Sequence, residues 1–136
     1  GEEGVNRVVA EALQPAQLLS NLHFNVGLNA LGCPCAVQRL DWHACLRPDF
    51  TCETHEVVIG SDVIYYETDA DALVAAIRTH TMPGGSFFLM NPRKRPGLGK
   101  VLDALRAVGS VEEEEHTLIS NLGATPMLFA HFQPHA

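Results

Sequence analysis

The sequence has no apolar run long enough to span a bilayer, and it carries little positive charge. Its 136 residues include 9 lysines and arginines against 16 aspartates and glutamates, which gives a net charge of −7. A membrane-spanning helix needs about 20 consecutive apolar residues, and an acidic chain is poorly suited to bind phosphate backbones. Residues 1–4 lack the basic start of a secretion signal. We therefore expect a cytoplasmic or nuclear protein with neutral or basic partners, no nucleic-acid partner and no membrane.

Cysteine is missing from most of the chain. The four cysteines, Cys33, Cys35, Cys45 and Cys52, all lie within one short stretch. A secreted disulfide scaffold would distribute them along its length. Cys33 and Cys35 are separated by one residue, whereas cysteine pairs in structural zinc sites are usually separated by two to four. We expect reduced thiols and no metal site.

An initiator methionine is also missing, because the chain begins with Gly1 and its methionines are Met82, Met90 and Met127. We therefore expect a processed or incomplete piece of a longer chain. Apolar residues make up 46% of the sequence, enough for one domain with a real core. We expect residues 1–136 to form that single domain.

Apolar periodicity predicts strands that alternate with helices. The predicted strands cover residues 8–10, 36–40, 57–66, 86–90, 111–119 and 127–132, and the predicted helices cover residues 15–29, 69–79 and 98–108. This order indicates an α/β fold with a mostly parallel sheet, helices on both faces and one antiparallel C-terminal strand. Residues 57–66 are the most apolar run and predict a strand buried on both faces. Residues 43–54 are predicted to form a loop.

Several short motifs occur along the chain in the same order as in a known enzyme family. Residues 60–65 (GSDVIY), followed by a predicted helix and by residues 83–85 (PGG), resemble the second half of class I, seven-β-strand S-adenosylmethionine-dependent methyltransferases. The Asp-x-x-Tyr pattern of Asp62 and Tyr65 is similar to the branch that contains many protein-lysine methyltransferases. Residues 22–29 and residues 40–42 (LDW) resemble the helix after that branch's second strand and the acidic-aromatic step after its third.

The resemblance implies a Rossmann-like methyltransferase sheet whose amino-terminal part is missing. The family's first strand and glycine-rich loop would precede Arg7, so residues 1–136 would begin at the second strand. The glycine-rich loop lets the backbone approach the cofactor. We therefore expect this chain alone to bind S-adenosylmethionine only weakly.

The resemblance also assigns the site. Asp62 would orient the acceptor amine and stabilise the charge that develops on its nitrogen, and Tyr65 would shape the aromatic channel through which the amine arrives. A purely structural interpretation makes Asp62 the cap of the following helix and packs Tyr65 against that helix.

Five further residues would hold S-adenosylmethionine. The ribose-binding acid of relatives aligns beside Glu11, Asp41 would accept a hydrogen bond from the adenine amine, and Trp42 would lie against the adenine ring. Gly60 and Ser61 would line the methionine moiety. The structural alternatives are that Trp42 is a core residue and that Gly60 only permits close packing.

Two charged segments have simpler interpretations. Arg93, Lys94 and Arg95 indicate a solvated loop or the rim of a site for an acidic protein, and residues 112–115, four glutamates, indicate a solvated edge strand.

The resemblance implies methylation of a protein side-chain amine, that of lysine, by the full-length parent protein. The alternative is a catalytically inert interaction domain with the same fold. Methylation of a small molecule or a nucleic acid is less favoured, because the strand end lacks the Asn-Pro-Pro-Tyr type of motif.

Overall fold

The computed structural model describes residues 15–135, and the chain divides into two compact units, Gly1–Leu40 and Asp41–Ala136. In the first unit, helix α1 spans Pro15–Leu28 and confirms the predicted helix. The predicted strand at residues 36–40 is wrong, since this segment has no regular structure. A strand is stable only when a neighbour completes its hydrogen-bond ladder, and nothing in the described part of the chain pairs with it. The predicted strand at residues 8–10 lies outside the described residues.

The second unit contains four strands and two α-helices. In chain order they are β1 (His55–Ser61), α2 (Ala70–His80), β2 (Thr81–Pro92), α3 (Leu98–Arg106), β3 (Gly109–Ser120) and β4 (Gly123–Pro134). Single turns of 3-10 helix add η1 (Trp42–Leu46), at the start of the predicted loop, and η2 (Glu67–Asp69). No helix in the described residues has the length and apolarity needed to cross a membrane.

The strand order in the sheet is β1-β2-β4-β3. Strands β1 and β2 are parallel, and β4 is antiparallel to both β2 and β3. The predicted single antiparallel strand near the C-terminus is therefore confirmed. Strand β3 is an edge strand, as the run of glutamates indicated.

Both helices of the second unit pack on one face of the sheet. They share a core with alternate residues of β2 and β4 and with Ile64. The core comprises Ile64, Ala70, Leu73, Val74, Ile77, Phe87, Leu89, Leu98, Val101, Leu102, Leu105, Leu128, Ala130 and Phe132. Within residues 41–135, α2 and α3 meet in this one core on one face of the sheet. On the opposite face of β1, Val57 and Ile59 are 60% and 79% exposed. The prediction that this strand is buried on both faces is therefore wrong.

Strand β1 ends at Ser61, whereas the apolar run predicted a strand through Tyr66. The reason is local, because Asp62 has a φ of 48°, in the left-handed region. Aspartate tolerates that conformation better than most residues, and its backbone N–H donates to the carbonyl of Met90 at 2.8 Å. The chain therefore turns out of the sheet at the residue that the motif singles out.

Candidate functional site

The carboxyl ends of β1 and β2 meet at one edge of the sheet, because the two strands are parallel. Asp62 follows the end of β1, and a loop of residues 93–97 follows the end of β2 at Pro92. Open α/β sheets bind their ligands at this edge. The topology therefore places Asp62 where such a sheet holds its site.

Asp62 forms a two-pronged ion pair with Arg95. Arg95 Nε donates to Asp62 Oδ1 at 3.0 Å, and Arg95 Nη2 donates to Oδ2 at 2.8 Å. Each side chain is 37% exposed. The hydrogen bonds from Arg95 to Asp62, together with the negative charge of that carboxylate, raise the pKa of Arg95 above its ordinary value, against the opposing effect of burial. The guanidinium therefore stays charged beside Asp62 at neutral pH.

Tyr65 completes this arrangement. The guanidinium carbon of Arg95 lies 5.2 Å from the centre of the Tyr65 ring, within the range of a cation-π contact. Tyr65 is 55% exposed, so it is not a core residue. We call Asp62, Tyr65 and Arg95 the edge cluster.

Asp62 does not have the helix-capping role that the structural interpretation gives it. Helix α2 begins at Ala70 with Asp69 at its N-cap position, and η2 begins after Tyr66. Asp62 therefore caps neither helix, and its carboxylate is directed instead to Arg95.

The loop that carries Arg95 is closely packed. Gly97 has a φ of 86°, and a Cβ at this position would lie 2.8 Å from the Cα of Glu67. The Arg95 N–H donates to the carbonyl of Pro92 at 3.3 Å, and the Leu98 N–H donates to the carbonyl of Arg95 at 3.3 Å. The backbone on both sides of Arg95 is therefore fixed relative to the strand end.

Asp41 and Trp42 lie together at the start of η1. Asp41 is exposed, and its Oδ1 accepts a hydrogen bond from the His43 N–H at 3.0 Å. Trp42 is half-buried against the core. An exposed carboxylate next to a partly open indole offers an acceptor for an adenine amine and a flat surface for its ring. The two residues therefore present a carboxylate and part of an indole ring next to each other.

The remaining predicted cofactor residues are placed differently. A Cβ at Gly60 would lie 3.2 Å from Val63 Cγ2 and 3.3 Å from Phe87 Cζ, so this glycine permits close packing with the core. Ser61 is exposed at the end of β1. Glu11 lies outside the described residues.

Sequence reasoning missed Arg95, which it assigned to a basic surface loop. The signal was available, because the loop follows a strand parallel to β1 and must reach the same edge as Asp62. Arg93 of the same loop pairs instead with Glu115 at 2.9 Å and Glu113 at 3.6 Å. The two arginines therefore have separate partners, and neither is simply solvated.

All four cysteines are free thiols, and only Cys45 is buried. Within residues 15–135, no three histidine, cysteine or acidic side chains are grouped closely enough to hold a metal ion.

The sheet order and the single antiparallel strand agree with the class I methyltransferase sheet that the sequence resembles. A family model described as lysine methyltransferase matches residues 13–116. Since the match covers well over half of the chain, the chain belongs to the lysine methyltransferase family. The matched range includes the whole edge cluster together with Asp41 and Trp42. No curated protein matches the chain significantly.

Proposed function

We propose that this chain carries the acceptor side of a protein-lysine N-methyltransferase, with Asp62 and Tyr65 receiving the lysine amine. The observation that supports the proposal most strongly is the edge cluster itself. A carboxylate and an aromatic ring at the carboxyl edge of the sheet already hold one cationic side chain, at 2.8 Å and 5.2 Å respectively. The same pair of groups suits a lysine ammonium.

S-adenosylmethionine supplies a methyl group on a sulfonium, which is transferred by in-line displacement to a nucleophile. The protein's part is to hold the amine lone pair in line, and positioning supplies much of the rate. Asp62 accepts a hydrogen bond from the amine, orients it and stabilises the positive charge that grows on nitrogen. Because a carboxylate favours the protonated amine, Asp62 is not the base, and the proton leaves to solvent.

Asp41 and Trp42 would hold the adenine end. Their side chains contact η1 and the core, not the edge cluster. Loss of either is therefore expected to weaken cofactor binding and to leave the acceptor side intact. This division of roles makes the proposal testable with single substitutions.

The test uses the chain extended by the amino-terminal segment that the resemblance implies. It measures methyl transfer from S-adenosylmethionine to a lysine-containing peptide library, and cofactor binding by calorimetry. Asp62→Asn should lower the rate at saturating cofactor about tenfold or more, with little change in cofactor affinity, because the lost contact acts in the transition state. Trp42→Ala should weaken cofactor binding and spare the saturated rate. Asp71→Asn is the control, since Asp71 is exposed on α2 and pairs with Lys100.

Activity within a factor of about two for both Asp62→Asn and Trp42→Ala would show that neither contact matters to the reaction. That outcome would contradict the assigned roles, whereas no methyl transfer by the wild type would favour the interaction-domain alternative. Equal losses of activity in Asp62→Asn and Asp71→Asn would show that the effect does not depend on the position of Asp62 at the sheet edge.

A further inference from the structure

Arg95 occupies the space between the carboxylate of Asp62 and the ring of Tyr65. Both carboxylate oxygens accept hydrogen bonds from this one guanidinium, at 3.0 Å and 2.8 Å. We propose that Arg95 is an internal occupant of the acceptor-amine subsite, which an incoming lysine must displace to reach Asp62. The inference rests on the proposed function, because that function makes Asp62 and Tyr65 the acceptor subsite.

The chemistry of the two cations explains the competition. A lysine ammonium and an arginine guanidinium are both stabilised by a carboxylate and by the face of an aromatic ring. When Arg95 leaves, the Asp62 carboxylate loses its positively charged partner. A neutral side chain cannot supply another positive charge. The subsite would therefore open to cationic side chains and stay closed to neutral ones, which makes Arg95 a specificity-determining residue.

The surroundings of Arg95 allow its side chain to move while its backbone stays in place. Its side chain is 37% exposed, and ion pairs at such positions are weak enough for a competing cation to break. The loop backbone is held by the close approach of Gly97 to Glu67. Displacement therefore needs only a change of side-chain rotamer.

The chain offers a matched control in the same loop. Arg93 is 42% exposed and pairs with Glu113 and Glu115 on β3, away from Asp62. Arg93→Gln and Arg95→Gln remove the same charge two residues apart. An effect confined to Arg95→Gln is therefore local and does not reflect the net charge of the chain.

The test titrates an acetylated and amidated Gly-Lys-Gly peptide into the 136-residue chain and follows the ring resonances of Tyr65 by NMR. Tyr66→Phe identifies them, because the chain has two tyrosines. We expect Arg95→Gln to bind the peptide about threefold or more tightly than the wild type, and Arg93→Gln to bind it as the wild type does. The double variant Asp62→Asn/Arg95→Gln should lose the gain.

Equal affinities of Arg95→Gln and Arg93→Gln would overturn the proposal, and so would an equal gain in the double variant. A measurement on the wild type covers the case in which Arg95→Gln does not fold. The Nε–H resonance of Arg95 should move toward its free position as the lysine peptide is added, and should not move with the Nζ-acetylated peptide. An unmoved signal at saturation would reject displacement.

Neither experiment measures methyl transfer. Displacement in a protein that transfers no methyl group would contradict the proposed function and retain the cation subsite. Methyl transfer without displacement of Arg95 would support the proposed function and contradict the displacement of Arg95 by lysine.

Discussion

At the scale of single residues, the sequence motif predicts candidate site residues but not which side chains they contact. Asp62 and Tyr65 are three residues apart, so their proximity follows from the local pattern. Arg95 lies 33 residues from Asp62 in the chain, and only the parallel pairing of β1 with β2 brings it to the same edge. The left-handed backbone at Asp62 could not be predicted either, because the apolar run continues past this residue.

Asn91 is the residue whose surroundings give the sharpest prediction for stability. It is fully buried at the end of β2, its Nδ2 donates to the Pro92 carbonyl at 3.3 Å, and its Oδ1 has no partner among the described residues. Asn91→Asp should lower the free energy of unfolding by about 2 kcal/mol or more at pH 7, because a carboxylate there is desolvated and unpaired.

The decrease in the free energy of unfolding caused by Asn91→Asp should be smaller at pH 4 than at pH 7. Burial raises the pKa of the new carboxyl, so the folded state favours the neutral form and is penalised less at low pH. Urea unfolding at pH 4 and pH 7 measures this, with Asn91→Leu as the uncharged control. Equal losses at the two pH values would show that the site is not dry.

At the scale of elements, β1 shows what the apolar pattern of a sequence can and cannot predict. The apolar run predicts a strand at the right place, yet a continuous apolar pattern does not reveal which face has a partner. In β1, Val58 packs against the core, whereas its neighbour Val57 is 60% exposed. The chain from Asp41 onward supplies helices for the Val58 face only.

The same substitution at these two neighbours tests the difference between the faces. Val58→Thr should cost about 1 to 2 kcal/mol in the free energy of unfolding, because it buries a hydroxyl in the core. Val57→Thr should stay within about 0.5 kcal/mol of the wild type. Denaturant unfolding of both variants is the measurement. Comparable losses would mean that both faces of β1 are covered in solution.

The loop between β2 and α3 is a second element that depends on tertiary contact. Gly97→Ala should destabilise the protein by about 2 kcal/mol or more, because it combines a positive φ with a Cβ placed 2.8 Å from the Glu67 backbone. Gly99→Ala, two residues on within α3, meets nothing within 4 Å and should be neutral or stabilising. Thermal unfolding compares them, and equal melting temperatures would contradict the tight packing of the loop.

At the scale of the whole molecule, ion pairs connect the edge strand β3 to other elements of the second unit. Glu113 on the edge strand β3 contacts both Arg106 of α3 and Arg93 of the loop. Glu113 and Glu115 therefore do more than solvate an edge strand, because their ion pairs with Arg93 also hold the loop that carries Arg95. The sequence shows an excess of acidic residues. Which of them form ion pairs depends on the residues that the fold brings next to one another.

The strand order also has a consequence for folding kinetics. Strands β3 and β4 are joined by two residues and pair over twelve positions, so their ladder forms from near neighbours in the chain. Strand β1 reaches β2 only through a parallel crossover that includes α2, and such a connection must close a long loop before any ladder bond forms. The hairpin is therefore suited to form early. We expect the parallel pair that places Asp62 beside Arg95 to form later, so that the edge cluster is completed after the hairpin.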